Sequence, residues 1–256
     1  MKKDYIGYRK WSAPDPRCAF LLVHGLGTYS GRWESMAGFF LQKGISSYAI
    51  DLPELDCIRS YYNEILRVRE AAIKDNPGKK VFLVGESLGG LTSFLFTAEH
   101  PGLFEGLVCI SPAFANRKTL KFFETVKMLL PILYNPAKQV NLSFDSSMCT
   151  RDTDCRKKID SDPREYRSAS VGLIFDILIT QTRTKRAIKN MNTPVLFMVS
   201  EEDLIIDTET SRKVFDSLTA KDKTFIGFPG MYHALSIELG KEAVFEELFK
   251  WIEKRL

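Results

Sequence analysis

The sequence predicts an α/β protein with a mostly parallel central sheet flanked by helices, and with an inserted helical cap. Three observations carry that class. Short apolar runs alternate with stretches of helical period at both ends of the chain, the pattern of a parallel sheet covered on both faces. One run, Val81-Phe82-Leu83-Val84, leads through Gly85-Glu86-Ser87-Leu88-Gly89-Gly90 into residues 91–100, which lack Gly and Pro; this reads strand, tight turn, helix. Over 113–191 the alternation stops and helical period alone remains. The 256 residues therefore divide into a first core part, 1–112, the cap, 113–191, and a second core part, 192–256.

Taken in order, 5–11 reads as a short first strand, with Pro14 and Pro16 in the turn after it. Residues 19–23 are continuously apolar, as in a strand buried on both faces. A Gly-rich loop, 24–33, then opens a helix with a core face of Met36, Phe39, Phe40 and Leu41, closed by Gly44. Residues 46–52 form the next strand. Over 61–73, Ile65, Leu66, Val68, Ala72 and Ile73 recur at helical spacing. The central strand–turn–helix follows, and then a buried strand at 103–110. In the cap, Leu120, Phe122, Phe123, Val126, Met128, Leu129 and Leu130 repeat with helical period until Pro131. A polar, Asp-rich middle spans 145–162, and 171–179 makes a second apolar helix. The alternation resumes with a strand at 194–199, a helix at 207–218, a strand at 223–228 and a last helix at 241–256. Ala243, Phe245, Leu248, Phe249, Trp251 and Ile252 form the buried side of that helix.

Hydrophobic residues make up 45% and charged residues 27%, the balance of an ordinary globular domain with ample chain for a core. A net charge of +4 lacks the concentrated basic face of a nucleic-acid binder, so no nucleic acid is expected as a partner. The basic clusters 156–158 and 183–189 are read as solvated faces, ahead of a transient contact with anionic lipid surfaces. Five cysteines, Cys18, Cys57, Cys109, Cys149 and Cys155, show no framework spacing. Cys109 reads as a small core residue, and a Cys149–Cys155 pair is not required. No signal peptide or membrane-length apolar run is evident, so a reducing cytoplasm is the expected setting. Oligomeric state leaves no mark in the sequence.

The chemistry centres on Gly85-Glu86-Ser87-Leu88-Gly89, which between a strand and a helix is the nucleophile elbow of α/β-hydrolases. Ser87 sits in a strained turn, and a side chain at 85 or 89 would collide with the neighbouring strand or helix. A serine hydroxyl near neutral pH needs a base within hydrogen-bond reach. Of three histidines, His24 is expected to shape the Gly-rich loop through backbone bonds, and His100, before Pro101, to cap or be solvated. His233, in Pro229-Gly230-Met231-Tyr232-His233 after the last strand, fits the chain order Ser…Asp…His. Ser200-Glu201-Glu202-Asp203 offers three carboxylates. Asp203 leads, because it reaches furthest past its strand and Leu204-Ile205-Ile206 anchors the loop behind it. Glu201 and Glu202 read as solvated, and Asp207 as a helix cap. The backbone N–H groups of Leu88 and Leu26 are the expected oxyanion donors. No His/Cys cluster has ligand spacing, so no metal is expected, and the loop 25–31 lacks the Gly-Lys-Ser/Thr of a phosphate-binding loop; no cofactor is called for.

At this point a resemblance is plain. His24-Gly25-Leu26-Gly27-Thr28-Tyr29-Ser30-Gly31-Arg32-Trp33 resembles the His-Gly-x-Gly-x-x-Ser-Gly-Arg-aromatic segment of monoacylglycerol lipases and bacterial lysophospholipase-like hydrolases, members of the α/β-hydrolase superfamily. The elbow, Glu201-Glu202-Asp203-Leu204-Ile205-Ile206-Asp207 and 229–233 are similar to their corresponding loops, and the likeness covers nearly the whole chain. It implies a triad of Ser87, Asp203 and His233, with Leu26 and Leu88 as oxyanion donors and a cap that admits an acyl chain. Glu86 departs from the His common before the nucleophile and matches relatives acting on phenolic and shikimate esters. The Gly-His-Gly segment usual after the Asp51 strand is replaced by Leu52-Pro53-Glu54-Leu55-Asp56.

The expected activity is a serine carboxylester hydrolase for monoacylglycerols or related medium-to-long acyl esters. Phe122, Met128, Leu129, Leu173 and Phe175 are the substrate-binding candidates of the cap, with Phe123 and Ile179 beside them. Most of these are first of all packing residues. The same machinery on thioesters, amides or hydroxycinnamate esters is the second expectation, and a ligand-binding protein on a hydrolase scaffold the third.

Overall fold

The computed structural model describes residues 7–51, 57–117, 127 and 129–256. Its strands are β1 (Tyr8–Trp11), β2 (Cys18–Val23), β3 (Ile45–Ile50), β4 (Val81–Glu86), β5 (Gly106–Ile110), β6 (Gln139–Asn141), β7 (Ser168–Ser170), β8 (Val195–Ser200) and β9 (Lys223–Phe228). Its helices are α1 (Glu34–Gln42), α2 (Ile58–Asp75), α3 (Leu88–Glu99), α4 (Ser146–Cys149), α5 (Thr153–Ser161), α6 (Val171–Asn190), α7 (Thr208–Asp216) and α8 (Lys241–Glu253). Seven strands form one sheet in the order β1-β3-β2-β4-β5-β8-β9. All its pairings are parallel except β1 with β3.

Every residue of β2, β3, β4, β5 and β8 is buried. That explains the apolar runs of β2, β4, β5 and β8, since a strand covered on both faces has no polar side to alternate with; β3 buries Ser46 and Ser47 as well, and Ser46 Oγ accepts the Ala13 N–H at 3.1 Å. Phe20 and Leu22 point to a core layer with Met36, Phe40, Phe245 and Trp251, so α1 and α8 cover that face. Leu21 and Val23 point to the other layer, with Ile65, Val68, Phe94, Ala187 and Phe215 from α2, α3, α6 and α7. The edge strand β1 keeps Arg9 and Lys10 exposed, which blunts strand addition there.

Several elements differ from the sequence reading. In α2, Leu66 and Ile73 are exposed while Ile58 and Tyr61 join the buried face. A helix of eighteen residues shows a narrower apolar stripe than its composition implies. In α8, Val244 is buried and Ala243 is exposed, because the core face follows Val244, Phe245, Leu248, Trp251 and Ile252. The strand expected from 103 begins at Gly106. Residues 5, 6 and 52–56 of the expected strands and loop lie outside the described residues, as do 118–126 and Met128, which include Leu120, Phe122, Phe123 and Val126.

The insert is not purely helical. β6 and β7 pair antiparallel in a separate two-stranded sheet, and α4 and α5 lie between them. Three residues per strand are too few to show alternation in a sequence. Pro131 sits in a single 3₁₀ turn, Leu130–Leu133. α6 is twenty residues long, capped by Ser170, whose hydroxyl accepts the Leu173 N–H at 3.1 Å. Cys149 and Cys155 are free thiols. Among the described residues, no helix is long and apolar enough to cross a membrane.

Candidate active site

Ser87 follows β4 directly and precedes the first residue of α3. Its backbone is in the left-handed half of conformational space, φ 58° and ψ −120°, which a non-glycine residue holds only when its surroundings enforce it. Three backbone bonds do so: Ser87 N–H to Ile110 O at 2.9 Å, Ala113 N–H to Ser87 O at 3.0 Å and Leu91 N–H to the same oxygen at 3.1 Å. A Cβ on Gly85 would run into the carbonyl of Gly89, and one on Gly89 into the carbonyl of Val23. The turn can close only without those side chains.

Asp203 lies three residues beyond β8 and is fully buried. Its Oδ1 accepts the N–H groups of Ile205 at 2.8 Å and Ile206 at 2.9 Å, and Arg117 donates to its main-chain carbonyl. The other oxygen, Oδ2, is left for His233, whose Nδ1 donates to it at 2.7 Å. That bond puts the ring proton on Nδ1, so the lone pair of Nε2 faces Ser87 Oγ at 2.9 Å. Burial of His233 opposes its charging, but the Asp203 carboxylate, by charge and by hydrogen bond, together with Glu86 outweighs burial. The imidazole pKa is raised above its ordinary value.

The loop after β2 passes beside the nucleophile. A Cβ on Gly25 would stand 3.0 Å from Ser87 Cβ and 3.5 Å from its Oγ. Leu26, partly buried, is the next residue. Leu88 opens α3, so its N–H is among those without an acceptor inside the helix. His24 is 1% exposed and donates from Nδ1 to Gly25 O at 2.8 Å, while burial lowers its pKa and keeps it neutral. This is the loop-shaping role expected of it. His100 caps the end of α3 against Phe96. Glu201 and Glu202 are exposed, and Asp207 caps α7 by accepting the Glu209 N–H. Of the insert candidates, Leu129 is partly buried, Leu173 is 2% exposed and Phe175 is 39% exposed. Two residues apart on α6, Leu173 and Phe175 point to different sides of the helix.

Other residues near the site carry no sequence signal of their role. Arg32 binds Glu165 of the insert with two bonds, 2.6 and 2.9 Å, and both side chains are nearly buried. Tyr166 N–H donates to Gly27 O at 2.8 Å, and Tyr29 Oη donates to Asp162 at 2.7 Å. The insert is thereby fastened to the loop carrying Leu26. Glu86 and Ser236 form a second unforeseen pair. Arg32 was visible only as part of a motif, and Glu165 and Ser236 belong to no pattern at all. A cleft of about 620 Å³ opens between α1, α5 and residues 162–165, lined by Arg32, Lys158, Asp162 and Lys241 among others. Ser87, Asp203 and His233 do not line it, and its walls carry both signs of charge.

What the arrangement can do is chemically specific. A hydroxyl, an imidazole in the proton-accepting tautomer and a buried carboxylate stand in one hydrogen-bonded line, and the loop after β2 passes beside the hydroxyl. This set suits acyl transfer through a serine nucleophile. Comparison with known proteins agrees with that chemistry. A family model described as Hydrolase_4, serine aminopeptidase S33, matches residues 54–240. Monoglyceride lipase of Homo sapiens is 28% identical over 98% of this chain and 88% of its own length. Monoacylglycerol lipase of Mycolicibacterium smegmatis is 25% identical over 98% of this chain and 94% of its own. The crystal structure of Paleococcus ferrophilus monoacylglycerol lipase superposes with a TM-score of 0.87 at 27% identity, covering 97% of this chain and 98% of that one.

Proposed function

The chain belongs to the Hydrolase_4 family, serine aminopeptidase S33, and on that footing we propose that it is a carboxylester hydrolase cleaving monoacylglycerol-like or other medium-to-long acyl esters through an acyl-enzyme on Ser87. The observation that carries the reading is the continuous hydrogen-bonded line Ser87–His233–Asp203. Ser87 Oγ attacks the ester carbonyl carbon while His233 Nε2 takes its proton. The Leu26 and Leu88 N–H groups receive the oxyanion, and Asp203 holds the imidazolium that forms. Collapse expels the alcohol, which His233 protonates. Water, deprotonated by the same nitrogen, then releases the acid and restores Ser87.

The family description names a peptidase, whereas the relatives of near-full length carry lipase names. Esters are the substrate class those relatives support. Leu129, Leu173 and Phe175 are the described candidates for contact with the acyl chain. The test is a substrate panel of monoacylglycerols of graded length, lysophospholipids, hydroxycinnamoyl esters, thioesters and a peptide amide, with fluorophosphonate labelling of Ser87. Preference for medium or long monoacylglycerols and labelling abolished by Ser87→Ala are expected. A hydroxycinnamoyl or peptide preference overturns the substrate class, and absence of labelling overturns the chemistry.

A further inference from the structure

Glu86 is the last residue of β4 and the neighbour of the nucleophile, yet no step of the chemistry above uses it. Its side chain is buried, and both of its oxygens are committed to one residue. Oε1 accepts the Ser236 N–H at 3.0 Å, and Oε2 accepts the Ser236 hydroxyl at 2.8 Å. Ser236 is fully buried and lies three residues past His233. A buried carboxylate whose hydrogen bonds come only from neutral donors costs more than an apolar side chain filling the same space, so the charge itself calls for a use.

The loop between β9 and α8 carries the imidazole, and it is fastened at several points. Ser200 Oγ donates to Met231 O at 2.5 Å, Tyr232 N–H to Glu238 at 2.9 Å and Ala234 N–H to Cys149 O at 2.9 Å. Those partners sit on β8, on the loop itself and on the insert. The bonds from Ser236 to Glu86 link the loop directly to the elbow, one residue from the atom that His233 must meet. We propose that Glu86 is the positioning residue of the base: through Ser236 it ties the His233 loop to the elbow, and it sets a buried negative charge facing the imidazole. This rests on the reading of Ser87, His233 and Asp203 given above.

The charged groups facing His233 are Asp203 and Glu86, which favour its protonated form, and Arg32, which opposes it. Those facing Glu86 are His233 and Arg32, and Arg32 is itself engaged by Glu165. Burial raises the pKa of Glu86, and the two Ser236 donors, Arg32 and the protonated form of His233 offset that rise only in part. Removing the Glu86 charge therefore leaves the imidazole with Asp203 and Arg32 alone, and its proton affinity falls.

Two variants of the full chain separate the tie from the charge. Ser236→Ala deletes the hydroxyl donor and keeps the charge. Glu86→Gln keeps the shape and an acceptor for the Ser236 N–H and removes the charge. On a p-nitrophenyl ester, Ser236→Ala is expected to lower kcat and the fluorophosphonate labelling rate on the order of tenfold, with KM unchanged, because the nucleophile and base lose alignment. Glu86→Gln is expected to move the acid limb of the kcat/KM profile to lower pH. A thermal melt accompanies each variant, and Ser236→Ala decides the matter where Glu86→Gln does not fold. Either variant, folded and matching the unsubstituted chain in its own readout, overturns the proposal. An unsubstituted chain that neither turns over esters nor labels overturns the parent reading instead, and this one with it.

Discussion

Replacing Asp203 by Asn tests the triad with the least change of shape. The Ile205 and Ile206 N–H groups both point at Oδ1, so they hold the amide oxygen there and turn the NH₂ group toward His233. An NH₂ donor facing Nδ1 requires a lone pair on that nitrogen. The ring proton then moves to Nε2, the atom 2.9 Å from Ser87 Oγ, and the base can no longer accept. The same inversion in another serine hydrolase lowers turnover by about 10⁴, which is about 5 kcal/mol of barrier. The folded state loses one charge-assisted bond, a matter of about 1.5–3 kcal/mol, so the variant remains folded with a lower melting temperature. The assay is pre-steady-state hydrolysis of a p-nitrophenyl ester, read for burst rate and turnover, with Glu201→Gln as an exposed-carboxylate control expected to change neither. A folded Asp203→Asn enzyme that keeps a tenth or more of its turnover refutes the assignment of Asp203.

Other outcomes follow from the same geometry. Because the His233 pKa is raised above 6.5, protonation removes the base on the acid side, and kcat/KM should fall through a midpoint above that value; a midpoint below it contradicts the described electrostatics. Gly89→Ala drives a methyl into the Val23 carbonyl and should cost about 3 kcal/mol or more, seen as loss of soluble protein or a collapsed melting temperature. Glu165→Ala leaves the Arg32 guanidinium buried without its partner and should cost about 3–5 kcal/mol in urea unfolding, part of it regained in the Arg32→Met/Glu165→Ala double variant.

The parts of the fold that the sequence disclosed are those where one local pattern has one physical solution. β2, β4 and β8 are buried on both faces, and an apolar run of strand length is what satisfies that. Gly85 and Gly89 flank a serine because the turn excludes a side chain at each. His24 was separable from His233 by what stands around it, a Gly-rich loop against a Pro-Gly turn after the last strand. The insert was harder to read because its structure depends on partners distant in the chain. Tyr29 meets Asp162, Arg32 meets Glu165, and β6 meets β7 across 26 intervening residues, 142–167. No period within either partner announces such a meeting. The same holds for Glu86 and Ser236, 150 residues apart. The resemblance marked Glu86 as a departure from the His common before the nucleophile, but only the tertiary contact shows what the carboxylate holds.

Strand order also explains why the base loop has the length it has. Ser87 follows β4 and His233 follows β9, and β5 and β8 stand between them. Three interstrand steps come to about 14 Å. The five residues from Phe228 to His233 span at most about 16–18 Å when fully extended, and the chain is not extended, since Gly230 turns at φ 70°. Asp203 has less distance to cover, because it rises from β8, beside β9, and meets the imidazole on its way across. The turned backbone and the reach of the two side chains together close the gap, so shortening the loop carries the ring away from the serine. Deleting Gly230 should leave the sheet and α8 intact, with the melting temperature lowered by only a few degrees, yet draw the ring back from Ser87 and abolish both fluorophosphonate labelling and turnover. A deletion variant that labels at the normal rate would mean that the imidazole reaches the serine by some other path, and the geometry set out for β9 and its loop would be wrong.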